Sequence, residues 1–203
     1  MANAPTPPST PAPAPAPAPP RPAAPSLTAL VPEELPEACR DQAKLVDSPS
    51  KNQALSAGIS LASCLVDQNA KALVLCDCEQ SVIDINAAID PSLQLLDEVF
   101  VLGDPATKIL ARHTQGEILS GFAQRMLATV PPPINGSEEA LALRNTRLDM
   151  LQPLIEPWLT RARAAFTELD KIARANPQLA KNPAVVAAVR ATRTRLSQGV
   201  AKR

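Results

Sequence analysis

The sequence predicts an all-α protein, an irregular antiparallel bundle of six or seven helices behind a disordered Pro/Ala-rich N-terminal tail. Alanine and leucine are abundant, whereas the 203 residues include no tyrosine, three phenylalanines and one tryptophan. Only Gly58 and Gly103 precede Gly116, so the glycine-centred signals of β-hairpins are missing from the first half. Apolar residues instead recur at helical spacing. A degenerate helical-repeat array is the alternative, although no fixed period is visible.

Residues 1–27 form the predicted spacer, and residues 28–203 the predicted helical domain. From Ala4 to Pro25 the chain reads APTPPSTPAPAPAPAPPRPAAP, with no large apolar residue. Proline fixes φ and lacks a backbone N–H, so this composition predicts an extended polyproline-like segment rather than helix or sheet.

The next 60 residues predict three helices. Glu33 and Glu34 crowd the start of the first, where the helix dipole favours acidic residues. The second is apolar on two faces, which is typical of a central helix. The third carries Val82, Ile85 and Ile89 on one side. The predicted ranges are Pro32–Val46, Lys51–Gln68 and Lys71–Ile89.

Two Asp-Pro pairs read as an N-cap followed by proline at the first helical position. Asp90-Pro91 predicts a short helix over Pro91–Leu102, and Asp104-Pro105 predicts a longer one over Pro105–Thr129. The run Pro131–Pro133 ends the longer helix, because consecutive prolines cannot continue it.

The last third of the chain predicts a long helix and a short one. Asn135-Gly136-Ser137 matches a glycosylation acceptor, but a turn followed by a Ser137 cap is the preferred interpretation. The long helix extends to about Ala175 and should kink or split at Pro153 and Pro157. The final helix begins after Asn182-Pro183.

The four cysteines, Cys39, Cys64, Cys76 and Cys78, are disulfide candidates. With a turn near Asn69, Cys64 and Cys76 would face each other across a helix pair, leaving Cys39 to pair with Cys78. Four reduced thiols acting as small core residues are the alternative, and they fit a cytosolic protein.

A metal or redox role for these cysteines is disfavoured. Residues two apart point to different sides of a helix, so Cys76 and Cys78 on a helix would not bind one metal ion. The Cys-x-x-Cys spacing of zinc knuckles and thioredoxin-like sites is missing, and Asp77 and Glu79 oppose a thiolate. The sequence predicts no metal and no cofactor.

Charge is divided unevenly along the chain. Residues 1–143 carry eight Lys/Arg and sixteen Asp/Glu, whereas residues 144–203 carry twelve and four. Two halves that attract each other, or a basic face for an acidic partner, would explain this division. Arg190, Arg193 and Arg195 are candidates for partner binding, together with the C-terminal Lys202 and Arg203. Trp158 is a further candidate, although core packing is the preferred interpretation for it.

Few residues of the kinds that usually carry out catalysis are present, and the sequence predicts a protein that is not an enzyme. His113 is the only histidine, and no P-loop, zinc-protease or nucleophile-elbow motif occurs. The predicted function is a structural or adaptor protein that binds partner proteins. A cytoplasmic nucleic-acid-associated protein using the basic last third is the alternative.

The predicted location depends on the start of the chain. Ala2-Asn3-Ala4 has the small-x-small form found around signal cleavage sites. If numbering starts at a mature chain, a periplasmic or secreted protein of a bacterial-type envelope is expected; otherwise the expected location is cytoplasmic. No apolar run is long enough to predict a membrane span.

Overall fold

The computed structural model describes residues 27–133 and 136–198. These contain six α-helices: α1 Arg40–Val46, α2 Lys51–Leu65, α3 Glu79–Leu102, α4 Pro105–Ala128, α5 Glu138–Ala175 and α6 Pro183–Gln198. Short 3-10 turns cover Leu27–Leu30, Glu37–Cys39 and Pro177–Lys181, and a π turn covers Val66–Ala70. No strand occurs among the described residues, which confirms the all-α helical bundle. The predicted tail before Leu27, Asn135 of the acceptor motif, Lys202 and Arg203 lie outside the described residues.

Two predicted helix starts are confirmed by their caps. The Asp104 carboxylate accepts a hydrogen bond from the Thr107 N–H at 2.8 Å at the start of α4. Ser137 Oγ accepts one from the Ala140 N–H at 3.2 Å at the start of α5. In both cases the side chain satisfies a backbone donor that the first turn of a helix leaves without an intrahelical acceptor.

Three other predicted boundaries are wrong. Asp90-Pro91 starts no helix, because Pro91 lies inside the continuous α3. The segment before Glu79 is a loop rather than helix, and Val74 in it is 97% exposed. The first α-helix begins at Arg40 rather than Pro32, because Pro36 is extended and restricts the residue before it.

The long helix α5 runs unbroken from Glu138 to Ala175, so Pro153 and Pro157 do not split it.

The core of the bundle is built around α4 and α5. Gly116 on α4 lies so close to Phe166 on α5 that a Cβ atom at Gly116 would overlap the ring. Residues of α3, α4 and α5 form the central core, which includes Ile85, Ile89 and Leu119. A second core packs the 3-10 turns, α1, α2 and the end of α3, and a third packs α6 on α4 and α5. None of the helices among the described residues is both long and apolar enough to cross a membrane.

Candidate functional site

The loop of residues 71–78 runs between the π turn and α3 over the side of the bundle. Arg125 on α4 holds its start, since the guanidinium donates to the carbonyl oxygens of Ala70, Lys71 and Leu73 at 3.0, 3.2 and 3.2 Å. Leu73 and Leu75 pack against the central core, while Val74 between them points into solvent. One arginine therefore supplies the donors for a loop that has no regular secondary structure of its own.

The end of this loop carries both Cys76 and Cys78, which are joined by a disulfide. Cys76 is exposed, and its N–H donates to Ser81 Oγ at 2.8 Å. Cys78 is the extended N-cap residue of α3. The Ser81 hydroxyl, which is buried, lies 3.2 Å from Cys76 Sγ and 4.0 Å from Cys78 Sγ.

The second disulfide joins Cys39 to Cys64, with a Cα–Cα distance of 5.7 Å. Four disulfide-forming cysteines are therefore confirmed, but the predicted pairing of Cys64 with Cys76 and of Cys39 with Cys78 is wrong. That pairing required a helix before Glu79, and the loop there places Cys76 away from α2. Cys39 instead reaches α2 from the 3-10 turn that leads into α1.

The first turns of α5 project beside the cysteine loop, and we call residues 138–150 the α5 arm. Leu143, Arg147 and Met150 lie on one face of the arm, since they are spaced by four and three residues. Arg147 Nε lies 3.6 Å from Asp77 Oδ2, so this face looks toward the loop. Leu143 and Met150 are 61% and 66% exposed. Loop and arm together form what we call the loop–arm surface.

A shallow groove lies where the arm meets the proline run. Its volume is about 170 Å³, and it is lined by Val130, Pro131–Pro133, Ala140 and Leu143, with Arg144 and Arg147 at one side. The Nε atom of Arg144 is buried and has no hydrogen-bond partner among the described residues. The groove thus combines an apolar wall with two cationic side chains.

The predicted partner-binding residues occupy other parts of the molecule. Trp158 is 3% exposed in the central core, and its indole N–H donates to Asn86 Oδ1 at 2.8 Å, as the core-packing interpretation expects. Arg193 pairs with Asp170 on α5 at 2.9 Å, and Arg195 pairs with Glu117 on α4 through two bonds of 3.2 and 2.9 Å. Arg190 is exposed beside a groove of about 690 Å³ between α6 and the 3-10 turn before it.

Two titratable groups mark the contact between α6 and the rest of the bundle. Burial lowers the pKa of His113, whose Nδ1 lies 3.3 Å from the buried Thr192 Oγ1. Burial alone would raise the pKa of Asp170, but hydrogen bonds from Arg193 and Arg174 outweigh it and lower that pKa. The Arg193 ion pair lies within the basic third, and the Arg195 ion pair joins that third to the acidic part of the chain.

Sequence reasoning singled out the cysteines but missed Arg125, Arg147 and the arm. The arm had a signal: the apolar stripe of α5 already starts at Leu141, before the body of the bundle reaches it. Among the described residues, no group of three or more His, Cys, Asp and Glu side chains is placed to hold a metal ion. No protein-family model, curated protein or solved structure matches this chain.

Proposed function

We propose that this protein is a non-catalytic helical module that binds a partner protein through the loop–arm surface. The observation that carries the proposal is the position of the exposed apolar side chains. Of the seven large apolar residues that are exposed in the described part of the chain, four lie on the loop or the arm: Val74 on the loop, Leu143 and Met150 on the arm face that looks toward it, and Leu141 on another side of the arm. Exposed apolar residues that cluster on one surface are typical of interaction sites, whereas scattered ones are not.

The helical phase of α5 exposes a second apolar side of the arm, distinct from the face of Leu143, Arg147 and Met150. Leu141 continues the stripe that buries Leu148 and Leu151 further along the helix, but it is itself 43% exposed. The core-facing side of α5 therefore extends past the helices that cover it. A partner segment lying along the arm would bury this apolar side, at a gain of about 25 cal/mol for each Å² of apolar surface.

The groove indicates the chemistry of the partner segment. An apolar side chain would fit against Val130 and the prolines, and a neighbouring carboxylate would reach Arg144 and Arg147. The positive charge of the Arg144 guanidinium favours such an anion, because a hydrogen bond to a charged group is stronger than one between neutral groups. An apolar segment with adjacent acidic residues is the expected ligand.

Photo-crosslinking tests this function in cells that make the protein. A photoreactive phenylalanine derivative replaces Leu143 in one variant and the equally exposed Val101 of α3 in the control. We expect one discrete adduct with another protein from position 143 and none from position 101. Equal adducts from both positions, or none from position 143, would overturn the proposal.

A second comparison separates binding from general stickiness. Leu141, Leu143 and Met150 are replaced by serine in the arm variant, and the exposed Leu45, Ile83 and Val101 in its control. When added in excess as a competitor, the arm variant should fail to reduce crosslinking of the partner to position 143, whereas the control variant should reduce it. Matching melting temperatures show that both variants are folded.

A further inference from the structure

The Cys76–Cys78 disulfide joins no two elements of the fold. Its residues are two apart in one loop, whereas Cys39–Cys64 joins segments 25 residues apart. The loop is held in place by Arg125 and by the Cys76 N–H bond to Ser81, neither of which needs the sulfur–sulfur bond. A bridge with one exposed cysteine that joins residues only two apart in the chain fits the labile, exchanging class of disulfides better than the structural class.

We propose that Cys76–Cys78 is a thiol–disulfide exchange site whose co-reactant is a thiol. Cys76 is the point of attack, because it is exposed while Cys78 is half-buried. Cys78 is the leaving group: it is the N-cap residue of the 24-residue α3, so its thiolate would form beside the positive end of the helix dipole. The Ser81 hydroxyl lies near both sulfur atoms and can donate to either thiolate.

The exchange balances in two steps. A thiolate attacks Cys76 Sγ, a bond forms between the two sulfurs, and the electron pair of the Cys76–Cys78 bond leaves on Cys78 Sγ, which takes up a proton. A second thiolate then attacks the incoming sulfur of this mixed disulfide and releases Cys76 as a thiolate, which is protonated in turn. Two thiols are oxidised to a disulfide, and Cys76 and Cys78 are reduced to a dithiol. A disulfide of the same thiol reverses both steps.

The charged neighbours of the site permit this chemistry. Asp77, between the cysteines, is paired with Arg147 of the α5 arm, so its negative charge is partly offset. Glu79 at the first position of α3 is exposed to solvent, which screens its charge. A small thiol is a sufficient co-reactant, so the exchange site does not depend on the proposed partner binding.

The test uses the full oxidised chain and glutathione as the thiol. Samples are quenched at intervals, alkylated and digested, and the labelled cysteines are identified by mass spectrometry. We expect Cys76 and Cys78 to be labelled at least about tenfold faster than the internal control, in which Cys39 is fully buried and Cys64 partly buried. Equal labelling rates for the two pairs, or faster labelling of Cys39 and Cys64, would overturn the proposal.

Single variants test the assigned roles. With glutathione disulfide as the co-reactant, the free Cys76 of Cys78→Ser should form a stable mixed disulfide, releasing one glutathione, faster than Cys78 does in Cys76→Ser. Ser81→Ala should slow the exchange and move the alkylation of Cys78 in the reduced chain to higher pH, a shift that a purely structural serine would not cause. Circular dichroism checks folding. Faster adduct formation at Cys78 would overturn the assigned order of attack.

Discussion

The two disulfides of this protein differ in nearly every respect except the bond itself. Cys39–Cys64 is built on a fully buried Cys39 and ties the N-terminal 3-10 turn to α2 across 25 residues. Cys76–Cys78 is exposed and spans two residues of one loop. By loop-closure entropy, the first should stabilise the fold by about 3.5 kcal/mol and the second by only about 1.5 kcal/mol. The comparison teaches that enclosed chain length and burial decide what a disulfide contributes.

Removing the disulfides one at a time should give the largest effect. Cys39→Ala with Cys64→Ala should lower the free energy of unfolding by about 3–4 kcal/mol, because the unfolded chain regains the freedom of the long loop. Cys76→Ala with Cys78→Ala is the matched control, and its loss should not exceed about 1.5 kcal/mol. Urea unfolding without reductant measures both. Equal losses would contradict the division into a structural and an exchanging disulfide.

An intermediate effect is expected from Arg125→Met, which asks what holds the cysteine loop if the disulfide does not. The change removes three hydrogen bonds, one to the Ala70 carbonyl of the π turn and two to loop carbonyls, and should cost about 2 kcal/mol of stability. Amide hydrogen exchange should speed up over residues 73–78 and stay unchanged around Cys39 and Cys64. Arg161→Met, an exposed arginine on α5, is the control. An unaltered loop in Arg125→Met would show that the disulfide holds it after all.

The smallest effect concerns the contact between α4 and α6, which contains neither disulfide. Burial lowers the pKa of His113 in the folded protein, with Glu117 acting against this shift and Arg195 adding to it. The unfolded chain therefore binds the proton first, and stability should be lost as the pH falls below about 6.5. His113→Gln should remove this part of the pH dependence in urea titrations. The same dependence of stability on pH should appear in both double-alanine variants, the one without Cys39–Cys64 and the one without Cys76–Cys78. A pH dependence that changes when one disulfide is removed would show that His113 is coupled to that disulfide.

The sequence predicted the helical class and several helices well, because long apolar stripes and caps are local signals. Asp104-Pro105 starts α4 as expected, yet the same dipeptide at Asp90-Pro91 lies inside α3. The difference is in the packing: Ile85, Ile89, Leu93 and Leu96 are all buried on both sides of Pro91. Burying such side chains gains about 1.5–3 kcal/mol each, which outweighs the roughly 3 kcal/mol cost of an interior proline.

The disulfide pairing and the loop–arm surface were beyond local signals. Leu73, Val74 and Leu75 have the apolar character of a helix, but the loop conformation is stabilised by Arg125, which lies 54 residues beyond Lys71 in the chain. Arg147, which pairs with Asp77, is even farther from it in the sequence. Contacts of this kind depend on how α4 and α5 pack, and the residues next to the cysteines in the sequence do not indicate that packing.

Arg125 has one more consequence, which concerns the barrier to the proposed thiol–disulfide exchange rather than the stability of the fold. Its bonds go to the carbonyl oxygens of Ala70, Lys71 and Leu73, and none of these atoms changes when a sulfur–sulfur bond opens. Reorganisation between the oxidised and reduced forms would then be confined to the Cys76 and Cys78 side chains. In the proposed exchange, a helix packed in the core would therefore limit how far the surface loop has to rearrange, and a substitution on α4 would be detected at sulfur atoms that it never touches.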